Sequence, residues 1–381
     1  MVRLGLAAGL ALAGFGLAAG AASGVVILPD DGYVPLTPFR VLDTRSGTPL
    51  APGETREVQV AGNLVEAIAL NVTVDRPTAS GFLTVFPTGE TAPNASNLNF
   101  VANETIPNAV IAKVGVGGKI SITNSAAGTT QVIIDIEGYF PTTSDYNPLK
   151  PVRILDTRSG TPLAPGETRD LQVTGSNGIP GDATAVVLNV TAVSPTTGGF
   201  LTVFPKGDAL PDTSNLNFAP GQTIPNLVVA TVGTDGKISI FNATGSTQVL
   251  VDVQGWFPFL SEYAALTPER ILDTRSGVAL GPGETRVLQV SGFGGVPDLI
   301  DAKAVVLNVT ANQPTATSFL TVFPTGVTRP GASNLNFVPG QTIANTVISK
   351  LGDGGQVSIY NASGTTQVLV DVQGFFIRPT F

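Results

Sequence analysis

The chain has 381 residues, a net charge of −8 and charged side chains at only 13% of positions. It contains neither cysteine nor histidine, which excludes disulfides, thiolate nucleophiles, the usual zinc sites and histidine general bases. The acidic balance leaves no basic stripe for phosphate contacts, so no nucleic-acid partner is expected.

The N-terminal stretch MVRLGLAAGLALAGFGLAAGAASG has one positive charge, Arg3, a long apolar run and small residues at Ala19-Gly20-Ala21. Residues 1–28 are therefore expected to be a secretory signal peptide or an apolar anchor, since Leu4 to Leu28 exceeds the roughly 20 residues that span a bilayer. Gly16, Gly20 and Gly24 also fall at the spacing that lets helices approach closely in a membrane or filament core. Either reading sends the rest of the chain out of the cell, secreted or held at the cell surface.

A charged block follows and then returns twice: RVLDTRSGTPLAPGETR from Arg40, RILDTRSGTPLAPGETR from Arg153 and RILDTRSGVALGPGETR from Arg270. It holds nine of the chain's thirteen arginines. Asp43, Asp156 and Asp273 lie 113 and 117 residues apart, a period too long for a solenoid and long enough for each unit to bury its own core. Three units are expected, at residues 36–140, 148–257 and 266–376. The short proline-containing linkers Pro141 to Lys150 and Pro258 to Leu266 would space them stiffly, as beads on a string.

Within each unit the block leads into AIALNVTV, AVVLNVTA or AVVLNVTA, where Ile68, Leu70, Val72 and Val74 share one strand face and Ala67, Ala69, Asn71 and Thr73 the other. GFLTVFP or SFLTVFP comes next, then SNLNF, then two alternating runs joined by hairpin residues such as Asn-Ala-Ser-Gly. No helical period is sustained within the units. Seven to nine short strands per unit predict an all-β protein of three tandem antiparallel β-sandwich domains, immunoglobulin-like or jelly-roll in type.

The motifs LDTR, LNVT, GFLTVFP, SNLNF and DVQGWF, in this order from Leu36 to Phe376, resemble tandem all-β modules of secreted and cell-surface proteins of soil and aquatic bacteria. Such modules accompany hydrolase domains or form arrays, and the module has no agreed activity of its own. The resemblance therefore implies an exported accessory or structural part and supplies no catalytic residues.

VLDTRSG looks like an aspartic-protease loop with Arg45 where glycine is needed, but the adjacent arginine would keep Asp43 ionised and three copies on separate units form no dyad. A glycosidase pair drawn from Asp43, Glu54 and Asp135 has nothing in the sequence to set its spacing. Calcium held by Asp43, Asp135 and Asn97 has suitable oxygen ligands but no calcium-loop motif. The favoured reading is a structural ion network of Arg40, Asp43, Arg45 and Asp135, repeated as Arg153, Asp156, Arg158 and Asp252 and as Arg270, Asp273, Arg275 and Asp371. Glu54 and Arg56 are expected at an exposed turn. Tyr139, Trp256 and Phe375 offer one aromatic per unit as a candidate sugar-stacking contact, against packing in the core or linker. Asn71, Asn189 and Asn308 lie in glycosylation sequons but mid-strand, which suits local hydrogen bonds better than a glycan.

No catalytic residue, metal or cofactor is assigned. The expected function is an exported, non-enzymatic structural or adhesive protein, a surface stalk or the subunit of an extracellular assembly. A carbohydrate- or cell-wall-binding module is the alternative, with a hydrolase behind it. The expected partners are copies of the chain itself or other surface proteins, with a glycan as the alternative and the membrane reached only through the N-terminal segment.

Overall fold

The structure, a computed structural model, describes residues 32–298 and 302–377. The apolar segment at residues 1–28 and its cleavage or anchoring lie outside the described residues. In the first repeat the strands are β1 (Val34–Asp43), β2 (Thr55–Gln59), β3 (Val65–Asp75), β4 (Gly81–Pro87), β5 (Leu98–Phe100), β6 (Thr105–Lys113), β7 (Lys119–Asn124) and β8 (Gln131–Pro141). The second runs through β9 (Asn147–Asp156), β10 (Thr168–Gln172), β11 (Ala185–Val193), β12 (Gly199–Pro205), β13 (Leu216–Phe218), β14 (Thr223–Thr231), β15 (Lys237–Asn242) and β16 (Gln248–Phe257). The third comprises β17 (Tyr263–Asp273), β18 (Thr285–Gln289), β19 (Ala302–Asn312), β20 (Ser318–Pro324), β21 (Leu335–Phe337), β22 (Thr342–Lys350), β23 (Gln356–Asn361) and β24 (Gln367–Ile377). The helices among the described residues are single 3-10 turns.

Each repeat builds two four-stranded antiparallel sheets, ordered β1-β8-β3-β6 and β2-β7-β4-β5 in the first and equivalently in the others. Period-two alternation explains how they meet. Ile68, Leu70, Val72 and Val74 on β3 pack with Leu83 and Val85 of β4 and Ile120 and Ile122 of β7 in one apolar core.

The expectation of three tandem sandwich domains strung into a stalk is overturned, and with it a bacterial surface adhesin built as such a string. The six small sheets stand around one centre like the six blades of a propeller. The inner edge strands β6, β14 and β22 touch one another, and β5, β13 and β21 contact β14, β22 and β6 of the neighbouring repeat. The segments read as spacers do not hold the repeats apart. Tyr33, Tyr146 and Tyr263, each placed just ahead of a repeat's charged block, turn inward to a second buried cluster shared by all three repeats.

Candidate functional site

The repeated Arg/Asp blocks lie beside the seams where one repeat meets the next. Register sets Arg40 of β1 opposite Asp135 of β8. The Arg40 guanidinium donates from Nε to Asp135 Oδ1 at 2.9 Å and from Nη2 to Oδ2 at 3.1 Å, and Nη2 also reaches the Gly331 carbonyl of the third repeat at 3.2 Å. Arg45 forks onto Asp43 with bonds of 2.9 and 2.6 Å, and Arg40 Nη1 donates to the same carboxylate at 3.2 Å. In the second repeat Arg153 grips Asp252 at 2.5 and 2.9 Å and Arg158 grips Asp156 at 3.0 and 2.6 Å. In the third, Arg270 holds Asp371 at 2.7 and 3.2 Å and Arg275 holds Asp273 at 3.0 and 2.6 Å.

The two carboxylates of each set are shifted in opposite directions. Hydrogen bonds from Arg45 and Arg158 hold Asp43 and Asp156 down at about 2, and Arg275 lowers Asp273 in the same way. Burial raises Asp135, Asp252 and Asp371 despite their arginines. Each of these carboxylates is thus tied to an arginine of its own repeat.

The other candidates resolve locally. Glu54 and Arg56, expected at an exposed turn, are half-buried: Arg56 donates to Glu54 at 2.9 and 2.6 Å and to the Thr48 carbonyl, clamping the loop before β2. Asn97 is spent on Val85, whose N–H donates to Oδ1 at 2.7 Å, so the calcium trio of Asp43, Asp135 and Asn97 is taken up by protein partners. Among the described residues no group of three or more acidic side chains is placed to hold a metal ion. Tyr139, Trp256 and Phe375 pair with Ile68, Val186 and Val305 on the adjacent strands and pack against the apolar core.

Two features close the ring; of their residues the sequence had singled out only Asn71, Asn189 and Asn308, for local hydrogen bonds, whereas their bonds run to neighbouring repeats. The first is a belt of six asparagines, each at most 1% exposed. Asn108 Nδ2 donates to Asn189 Oδ1 at 2.9 Å, Asn226 to Asn308 at 2.8 Å and Asn345 to Asn71 at 3.0 Å, joining first to second, second to third and third back to first. The oxygens of Asn108, Asn226 and Asn345 accept backbone N–H groups of Leu227, Thr346 and Ala109 across the same seams. Asn71, Asn189 and Asn308 are thus buried, and their amides reach Ser333, Ser96 and Ser214 carbonyls of neighbouring repeats.

The second is an aromatic rosette. Tyr33, Phe140, Tyr146, Phe257, Tyr263 and Phe376 form a closed cycle with centroids 4.5 to 5.0 Å apart. Each tyrosine hydroxyl donates to the carbonyl of Glu137, Gln254 or Gln373. The glycine after each of those residues is needed for the approach: a Cβ on Gly138, Gly255 or Gly374 would stand 2.2 to 2.3 Å from the hydroxyl oxygen. The signal was legible in principle, since each tyrosine stands seven residues before the first arginine of its block.

Glu137 sits alone among these equivalents as an acid. Asn334 Nδ2 of the third repeat donates to it at 2.8 Å, and full burial pushes its carboxyl up to about 8.

No protein-family model and no curated protein matches the chain. Among solved structures it is similar to one from the Sulfolobus turreted icosahedral virus, at 10% identity over 87% of this chain and 85% of that one with a TM-score of 0.20. It is also similar to one described as the triple jelly roll fold and turret assembly of an archaeal virus, at 10% identity over 91% of this chain and 90% of that one with a TM-score of 0.21. At such scores neither likeness carries an argument about fold or activity.

Proposed function

We propose that the chain is an exported, non-enzymatic structural protein, a rigid ring with approximate threefold repetition that serves as the building block of a larger assembly. The closed belt of buried asparagines supports this reading most directly, because it spends the polar groups of all three repeats on holding one another. The carboxylates that would serve as acids or nucleophiles are likewise engaged by arginines. The outer edge strands β2, β10 and β18 have a strand partner on one side only, and the apolar side chain of Val287 on β18 stands exposed there. Such edges favour strand-to-strand contact with another copy. Export rests on the apolar residues that precede the described ring.

The test is negative-stain microscopy and light scattering on the full chain recovered from the medium, across a concentration series. Regular assemblies of ring-shaped particles are the expected result. A chain that stays monomeric at every concentration, or that turns over glycoside or peptide substrates, would overturn the proposal.

A further inference from the structure

The three seams are not chemically equal. In the second and third repeats Phe241 and Tyr360 lie against Phe200 and Phe319, with centroids 6.4 and 6.3 Å apart. The first repeat has Thr123 at that register position, paired with Thr84 just as Phe241 and Tyr360 pair with Thr202 and Thr321. Phe82 therefore lacks the aromatic neighbour that its equivalents have. A second difference concerns the loop before β5, where the first repeat has Asn94, the second Asp212 and the third Gly331. Asp212 lies within electrostatic reach of Arg275 across the second seam. At the third seam Arg40 bonds the Gly331 carbonyl, and Arg329 stacks 3.9 Å over Tyr360.

The seam between the first and second repeats has none of these fillings. It holds a cleft of about 360 Å³ lined by Phe82, Asn94, Asn99, Thr123 and Ser125 from one side and by Arg153 and Arg158 from the other. That volume sits at the lower end of the roughly 300–1,000 Å³ of small-ligand sites. Arg158 uses Nε and Nη2 on Asp156, and no bond within the described protein takes up its Nη1. Ser96 Oγ donates to Asn99 Oδ1, and no bond within the described protein takes up the Asn99 amide hydrogens.

We propose that this cleft binds an acidic pyranose sugar, with the ring's C–H face on Phe82, its hydroxyls on Asn99, Asn94 and Ser125, and its carboxylate on Arg158. An aromatic plate beside directional amides and hydroxyls suits a sugar, and a guanidinium with a spare N–H suits a carboxylate. The site stands whether or not the ring assembles, so it is tested separately.

The experiment is a saturation-transfer NMR titration of the full chain with methyl glucuronide and, in parallel, methyl glucoside. Saturable binding of the glucuronide in the millimolar range is expected, with the glucoside at least about fivefold weaker. Thr123→Tyr, which installs the third repeat's own residue, should weaken glucuronide binding by about tenfold or more without lowering the melting temperature. Arg158→Gln should bring the glucuronide down to the affinity of the glucoside. Equal binding of the two sugars, binding indifferent to Thr123→Tyr, or no saturable binding by about 50 mM would each overturn the site.

Discussion

Strand β3 serves two interfaces, one wholly apolar and one that mixes apolar with directional polar contacts. Its Ile68, Leu70, Val72 and Val74 face the second sheet of the same repeat, while Ala67, Ala69, Asn71 and Thr73 face the rosette and the neighbouring repeat. β11 and β19 repeat this division with Asn189 and Asn308. The apolar interface is non-directional, so it stabilises each repeat without fixing how repeats are turned against one another. The seam is directional: a buried amide costs free energy unless its partners are in place, so the repeats fit only at the rotation that closes all three asparagine pairs. Apolar burial, within each repeat and in the rosette between repeats, thus supplies stability, and polar pairing at the seams supplies geometry.

The largest effect should come from separating the two interfaces. Residues 146–257 expressed alone keep the apolar core of the second repeat but present Tyr146, Phe257, Asn189 and Asn226 to water. Because each copy carries both sides of the seam, the fragment should assemble into a trimer that rebuilds the rosette. A fragment starting at Lys150, which lacks Tyr146, should trimerise more weakly or fail to fold. Sedimentation equilibrium over a concentration series checks this, and a monomeric 146–257 with a cooperative melt would break the contrast between the interfaces.

Single substitutions sharpen it. Arg153→Ala leaves Asp252, whose side chain is 1% exposed, as an unpaired buried carboxylate, and should cost about 3–5 kcal/mol. Leu188→Ala in the apolar core should cost about 2–5 kcal/mol. The two losses differ in repair. Arg153→Met combined with Asp252→Leu should recover most of the first, because the penalty lies in the orphaned charge. Urea denaturation midpoints measure all three variants, and a double variant as weak as Arg153→Ala alone would show that the pair itself stabilises the ring.

The contrast also explains what could be read in the sequence. Alternation in AIALNVTV identifies strands and their apolar face, because that face meets residues of its own repeat. The companion face carries its partners far along the chain: Asn71 bonds Ser333 and accepts from Asn345. Nothing local marks such a pairing, so Asn71 looked like a mid-strand polar position and the repeats looked separable. The charged block was conspicuous because it gathers nine of the chain's thirteen arginines. Tyr33, Tyr146 and Tyr263 recur at the same offset but fall in stretches whose prolines suggest linkers. The cleft beside Phe82 is subtler, since it arises from Thr123 departing from its own repeats.

Glu137 offers a test of the seam that needs no cavity. Its carboxyl is pushed up to about 8 by burial, against an ordinary 4.5. The unfolded chain therefore releases this proton first. The contribution to stability is complete below about 4.5, declines as pH rises and levels off once pH has passed about 8. Glu137→Gln, the residue that Gln254 and Gln373 already provide, should leave stability at pH 4 unchanged and raise it at pH 9 by on the order of 2–4 kcal/mol. Thermal melts of both proteins at the two pH values decide it; equal gains at both would place the effect in packing instead of ionisation.

Arg45→Ala should have the smallest effect, and its smallness is informative. Arg45 and Asp43 form a short pair of 2.6 Å, but their side chains are 42% and 24% exposed, so solvent screens them. Such pairs contribute about 1 kcal/mol or less at neutral pH. Asp43 titrates near 2 instead of 3.8 because Arg45 bonds its charged form, so the stability it contributes is present above the ordinary value and is lost as pH falls through about 2. Buried Asp135, a few ångströms along the same Arg40 guanidinium, is raised and runs the other way, favouring the fold as it gains its proton. Removing Arg45 should therefore lower the urea midpoint slightly at pH 7, progressively less toward pH 2, and less in 1 M salt than in dilute buffer. A loss as large as that of Arg153→Ala, or one insensitive to salt, would move the Arg45–Asp43 pair from the solvated rim of the seam into its buried interior.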